Sequence, residues 1–177
     1  MKVEVIKMEQ GARKEAFVEY LERLYREDNR RALAILRRGL SGDQKAKLDM
    51  YPFVIRFLRQ GATKWEEDVL FAIASLFAFH PSTDGIGDMG TVMKQVRQRT
   101  NSDSIEGRFM AMLRAPSENV LDHLKQCVSL ARSKEVPIDW NQLYKDLLWW
   151  NSDGMRVQRR WASSFWGDRN EDQNSGG

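Results

Sequence analysis

Residues 64–79, KWEEDVLFAIASLFAF, constrain the fold more than any other stretch of this chain. After the first turn the segment is apolar on almost every side, through Val69, Leu70, Phe71, Ile73, Leu76 and Phe77. A helix that is apolar all round must be enclosed by other elements. No apolar run in the chain approaches the roughly 18 residues that cross a bilayer. Thr63 and Glu66 have the spacing of a capping box, in which each side chain satisfies a free N–H of the other residue. His80–Pro81 ends the segment, because the residue before proline is pushed out of helical conformation. The spacing therefore predicts a buried central helix, and the fold must supply helices to cover it.

The flanking sequence supplies them. Phe17, Leu21 and Leu24 recur at helical spacing within 12–27. A second helix carries Leu33, Leu36 and Leu40, with Asp28 as its expected N-cap and Gly39 or Gly42 as its end. Pro52 is expected to open a short helix through Phe53, Phe57 and Leu58, stopped by Gly61. Beyond the PSTDGIGD loop, Asp88 should cap a helix with Met89, Val92, Met93 and Val96. A break at TNSD precedes Ile105, Phe109, Met112 and Leu113. Pro116–Ser117 opens a helix aligning Val120, Leu124, Cys127, Val128 and Ala131. Trp140, Leu143, Tyr144, Leu147 and Leu148 form the next stripe, and Val157, Trp161 and Phe165 the last. With only four prolines, twelve glycines and few β-branched runs, a sandwich or barrel is not expected and no segment stands out as a strand. The predicted class is all-α, about eight or nine helices in one compact bundle or two packed helical subdomains. The domain spans 12–166, with a possible division into 12–80 and 88–166. The order of segment 1–11 is left open, and 167–177 has no apolar anchor and is expected to be disordered.

No secretory signal is expected, since MKVEVIKMEQ is charged and lacks an apolar core. A single cysteine, Cys127, excludes an internal disulfide and a cysteine-based zinc site. The chain reads as a soluble cytoplasmic protein with no membrane partner.

Catalytic chemistry finds little support. Gly85-Ile86-Gly87-Asp88-Met89-Gly90 is a literal GxGxxG, but the dinucleotide motif needs a preceding strand and here a helix precedes it. His80 and His123 stand alone, with no second group at ligand or triad spacing. Cys127 lies on an apolar stripe and reads as a core thiol. Glu66, Glu67 and Asp68 read as a solvated first helical turn favoured by the helix dipole. No catalytic residue, metal site or cofactor is expected.

The cations are better organised. The net charge is only +3, but 18 of the 28 basic residues are arginine, the side chain suited to bidentate phosphate contacts. Between Asn29 and Gln60 stand eight bases and only two acids. At about 100° per residue, Arg30, Arg31, Arg37 and Arg38 form a ridge opposite the leucines of the second helix. Arg156, Arg159 and Arg160 cluster opposite Val157, Trp161 and Phe165. Lys94, Arg97 and Arg114 project from two intervening helices. The reading is a polyanion-binding surface, set against a merely solvated one. The neighbours Trp149 and Trp150 cannot both face one core, so either one of them stacks on a base or fills a partner's pocket, or they belong to two core layers.

The run VPIDWNQLYKDLLWWNSDGMRVQRRWASSFW, with its DW, LLWW and W spacing, resembles the C-terminal region of the small subunit of the type I-E CRISPR Cascade complex, the CasB family. RRALAILRRGL, GDMGTVMKQV and SIEGRFMAMLRA resemble the same family in order and position, over residues 15–166. The resemblance implies an all-α, non-catalytic subunit present in two copies. It would contact backbone subunits and the large subunit of a ribonucleoprotein carrying CRISPR RNA, and would help hold the displaced strand of the target DNA in the R-loop. By position, Arg37 and Arg38 match a basic pair of the family, Arg108 and Arg114 match arginines of its RxFxxxLRA stretch, and Lys94 falls where members carry a base. An assembly scaffold whose basic face docks protein without touching DNA is the alternative.

Overall fold

In the computed structural model, residues 16–167 are described. They form nine α-helices and no strand. Helix α1 covers 16–26. Then come α2 (Arg30–Arg38), α3 (Gln44–Val54), α4 (Lys64–Phe79), α5 (Met89–Arg99), α6 (Ser104–Arg114), α7 (Ser117–Ser133), α8 (Trp140–Leu148) and α9 (Arg156–Trp166). The expectations for 1–11 and for the tail lie outside the described residues, apart from Gly167, which caps α9 by donating its N–H to the Ser163 carbonyl.

The chain divides into two compact units. One runs to Thr83 and takes in Trp140–Leu148; the other holds Asp84–Asp139 and the chain from Trp149 onward. The division at 80–88 that the sequence suggests is therefore interrupted, because α8 packs with the N-terminal helices. Its apolar stripe decides this: Trp140 meets Phe77 at 5.8 Å between ring centroids, and Tyr144 meets Phe17 at 5.2 Å.

In the first unit α4 is the centre, buried from Val69 to Phe71 and from Ile73 to Ala78, and packed against α2, α3 and α8. The capping box forms as expected: Glu66 N–H donates to Thr63 Oγ1 at 3.2 Å and Thr63 N–H donates to Glu66 Oε2 at 2.7 Å. The Trp65 indole donates to the Leu147 carbonyl at 2.9 Å, tying α4 to α8.

Two local expectations are corrected here, and a third is resolved in favour of Gly39, which caps the end of α2. Asn29, not Asp28, caps α2, its Oδ1 accepting the Ala32 N–H at 3.1 Å. Asp28 stands one residue earlier at φ 51° and uses its carboxylate on Arg30 instead. Pro52 does not open a helix but lies inside α3, which begins two turns earlier where Asp43 accepts the Lys45 N–H. Pro52 is exposed, and its missing N–H removes one hydrogen bond from this helix. The two glycines after α2 have separate tasks. Gly42, at φ +75°, makes the left-handed turn, while Gly39 is helical and a β-carbon there would strike Ser75 Oγ and Met50 Sδ.

In the second unit α5 packs against α6, α7 and α9. Asp88 caps α5 as expected, accepting the Thr91 N–H at 3.0 Å. Gly90 sits so close to α9 that a β-carbon would collide with the Trp161 carbonyl, which gives one glycine of the GxGxxG run a packing reason. Phe109, Trp161 and Phe165 are fully buried, with the Phe109 and Phe165 rings 4.6 Å apart.

Candidate nucleic-acid interface

Three groups of basic residues stand out once their surroundings are known. The α2 ridge is the first. Ala32 and Leu36 are the buried side of this helix, and Arg30, Arg31, Arg37 and Arg38 are all exposed. Arg30 is paired with Asp28 at 3.0 Å. Arg31, Arg37 and Arg38 make no ion pair or hydrogen bond among the described residues. Arg37 and Arg38 occupy the last turn, where the helix dipole also favours cations by about 0.3–1 kcal/mol.

The basic excess between Asn29 and Gln60 is smaller than its formal count. Lys47 contacts Glu67 at 3.2 Å and Asp68 at 3.8 Å, and Arg59 grips Glu66 through two bonds of 2.9 Å. These acids open α4, and Lys64 reaches Asp68 at 2.7 Å from the same turn. The acidic run is thus a paired and capped helix start rather than a merely solvated one. Burial raises the Glu66 pKa, but hydrogen bonds from Arg59 and Thr63 outweigh it and the net shift is downward.

The second group lies in the second unit, beside the contact between α5 and α9. Arg97 stacks over the Phe165 ring at 4.4 Å and reaches Glu106 at 3.6 Å. Arg160 approaches the buried Asp88 at 3.6 Å, where Ser164 also donates at 2.8 Å. Lys94 is half-buried, on the same helical face as Gly90 and Arg97. Arg97 and Arg160 therefore bridge neighbouring elements of the second unit. Arg156 and Arg159 are exposed on α9, with no acid in its first turn.

Arg108 and Arg114 are exposed on α6. Arg108 is on the α7 side, close enough to Cys127 to oppose the effect of burial on the thiol. Burial dominates and pushes the Cys127 pKa up to about 12, so this is an inert core thiol. Among the described residues no three of His, Cys, Asp and Glu converge as a metal site.

The tryptophan pair splits. Trp150 is 2% exposed, donates to the Ala115 carbonyl at 3.2 Å and packs on Trp161 at 5.2 Å. Trp149 is 54% exposed, so two core layers do not describe the pair. Gln158 donates to the Trp150 carbonyl at 3.0 Å, which anchors this turn to the first turn of α9.

Sequence reasoning missed a third group. Arg23 and Arg26 on α1 and Arg56 after α3 line a groove of about 540 Å3 with Tyr20 and Phe57. The signal was present, since Tyr20 and Arg23 have the three-residue spacing that brings a ring and a cation together on a helix.

The model of the family described as CRISPR-associated protein Cse2 matches residues 32–166. The Cse2 protein of Thermus thermophilus is 32% identical over 157 residues, spanning 86% of this chain and 89% of its own length. The crystal structure of CasB from Thermus thermophilus is similar at 30% identity and TM-score 0.74, over 87% of this chain and 97% of that one. A chain of a CRISPR RNA-guided surveillance complex is 26% identical with TM-score 0.73, over 88% of this chain and 92% of its own.

Proposed function

This chain belongs to the CRISPR-associated Cse2 family, and from that premise we propose that it is a non-catalytic subunit of a CRISPR RNA-guided surveillance complex of the Cascade type. Its role there is to bind a nucleic-acid strand without reading its sequence, and so to hold the displaced DNA strand of the R-loop. The partners are a second copy of the chain, the backbone and large subunits, the CRISPR RNA and the target DNA.

The carrying observation is the α2 ridge, where Arg31, Arg37 and Arg38 are exposed without an acid partner among the described residues. Exchanging a DNA duplex for an RNA–DNA hybrid is nearly balanced in free energy, so a few phosphate contacts on the displaced strand tip it. Sequence is read by the guide, which suits a surface of guanidinium groups with no base-reading element.

The test is charge reversal within the assembled complex. Arg31→Glu, Arg37→Glu and Arg38→Glu together should weaken R-loop formation while circular dichroism and melting stay at the parent values. For three lost contacts, the log–log salt slope of single-strand binding should become shallower by about 2. An unchanged R-loop yield and slope would remove the ridge from this role. Leu48 and Ile55 are exposed apolar residues of the first unit, and they favour the second reading, protein docking without DNA contact. That reading, in which the basic face docks other subunits, predicts that the arginine variant and Leu48→Ser/Ile55→Ser both fail to assemble, while single-strand binding by the isolated chain shows no salt slope for the arginine variant to lose.

A further inference from the structure

The groove on the first unit has a feature that ordinary surface arginines lack. The Arg56 guanidinium lies over the Tyr20 ring at 4.3 Å and over Phe57 at 4.9 Å, and the Arg23 guanidinium reaches the same Tyr20 ring at 5.4 Å. Neither arginine has an acid partner or a hydrogen bond among the described residues. Each ring contact is worth about 0.5–1 kcal/mol at an exposed site. Bringing two cations to one ring opposes that gain by mutual repulsion, and an anion bridging them removes the repulsion. Stacking occupies only the faces of the guanidinium groups. The N–H donors of a guanidinium group lie in its plane, in a fork that matches phosphate geometry.

We propose that this groove is a phosphate site that takes consecutive phosphates of a single nucleic-acid strand, separate from the α2 ridge. The inference rests on the nucleic-acid role proposed above. Arg26 lies three residues beyond Arg23 on α1, about 4.5 Å further along the axis, so Arg56, Arg23 and Arg26 form a row rather than a point. A row matches a polymer with a charge at every unit better than a lone carboxylate. The guanidinium groups cover the aromatic faces, so the rings position the cations and do not stack on bases. Glu19 and Glu22 also line the groove and lower its net charge. Binding is therefore confined to the points where guanidinium groups converge, and it weakens steeply with salt.

The experiment titrates the full chain with fluorescein-labelled oligothymidylate over a range of salt, with polyglutamate as competitor. Arg23→Gln/Arg56→Gln should make the log–log slope shallower by about 1.4, from two lost contacts of roughly 0.7 each. Tyr20→Phe should keep the parent slope, because the ring remains. Tyr20→Leu should weaken binding with helix content unchanged, as the arginines lose their orientation. If the parent binds and the double variant keeps its slope, the groove inference fails and the functional reading stands. If the parent binds no oligothymidylate, both fail. If polyglutamate displaces the oligonucleotide from the parent at equal charge, the groove is a dock for acidic protein and the proposal is overturned.

Discussion

The two units of this chain carry the same side chain in different employment. In the first, the arginines of α2 stand at the surface, and Arg31, Arg37 and Arg38 have no acid beside them among the described residues. Three of its carboxylates, Glu66, Glu67 and Asp68, stand together at the start of α4, where Arg59, Lys47 and Lys64 hold them. In the second unit, several cations are built into the packing. Arg97 covers Phe165, Arg160 reaches Asp88, and Arg99 donates to the Lys134 and Glu135 carbonyls at 2.8 and 3.1 Å, closing the end of α7. A count of charges does not separate these roles. The deciding facts are the exposure of each guanidinium group and whether an anion, a ring or a carbonyl already occupies it.

The largest expected effect lies in the second unit, because its cations are placed by the close approach of α5 to α9. Gly90→Ala puts a methyl group against the Trp161 carbonyl, which is backbone and cannot rotate away. We expect a loss of about 3 kcal/mol, at the upper end of the overpacking range. Urea unfolding followed by tryptophan fluorescence reads it. A loss below about 1 kcal/mol would mean that α5 and α9 separate easily, and that Arg97 and Arg160 are not fixed by that contact.

A smaller effect sharpens the contrast directly. Arg97→Gln removes a ring contact worth about 0.5–1 kcal/mol and a partly exposed ion pair worth less. It should cost roughly 1 kcal/mol of stability in urea. The α2 substitutions Arg31→Gln, Arg37→Gln and Arg38→Gln should each stay within about 0.5 kcal/mol, as exposed positions without partners do. Equal costs in the two units would erase the distinction between them.

Much of the architecture was legible because it is written in local periodicity. The capping box at Thr63 and Glu66, the Asp88 cap and the stripe of Val157, Trp161 and Phe165 all depend on residues a turn or two apart. The start of α3 was missed because its buried positions are Ala46, Met50 and Val54, a weak stripe headed by a small residue, while Pro52 gave a louder and misleading signal. The membership of α8 was not legible for a different reason. A stripe shows which face of a helix is apolar, and only tertiary contact shows what covers it. The candidate site was readable to the same degree. The outward face of α2 and the pairing of Tyr20 with Arg23 on α1 follow from spacing, but the ring beneath Arg97 and the approach of Arg56 to Tyr20 join residues from separate elements, which no local pattern contains.

The smallest effect is on the acid side of the first unit. Although burial raises the Glu66 pKa, the hydrogen bonds from Arg59 and Thr63 bring it below its ordinary 4.5 in the folded chain. A depressed folded value means the carboxylate stabilises the fold above the unfolded value and loses that contribution as pH falls through the folded one. Both partners are partly exposed, so screening keeps the contribution small. Glu66→Gln should therefore unfold at lower urea than the parent at pH 7. The gap should narrow once the pH drops below about 4.5 and close once the parent carboxylate is protonated. Arg59→Gln should narrow the gap at pH 7, because it removes the strongest of the groups that lower this pKa. A gap of constant size from pH 7 to pH 3 would mean that the neutral hydrogen bonds of the cap, rather than the charge on Glu66, hold the start of α4. The acids of the first unit would then no longer explain where its cations Arg59, Lys47 and Lys64 are spent.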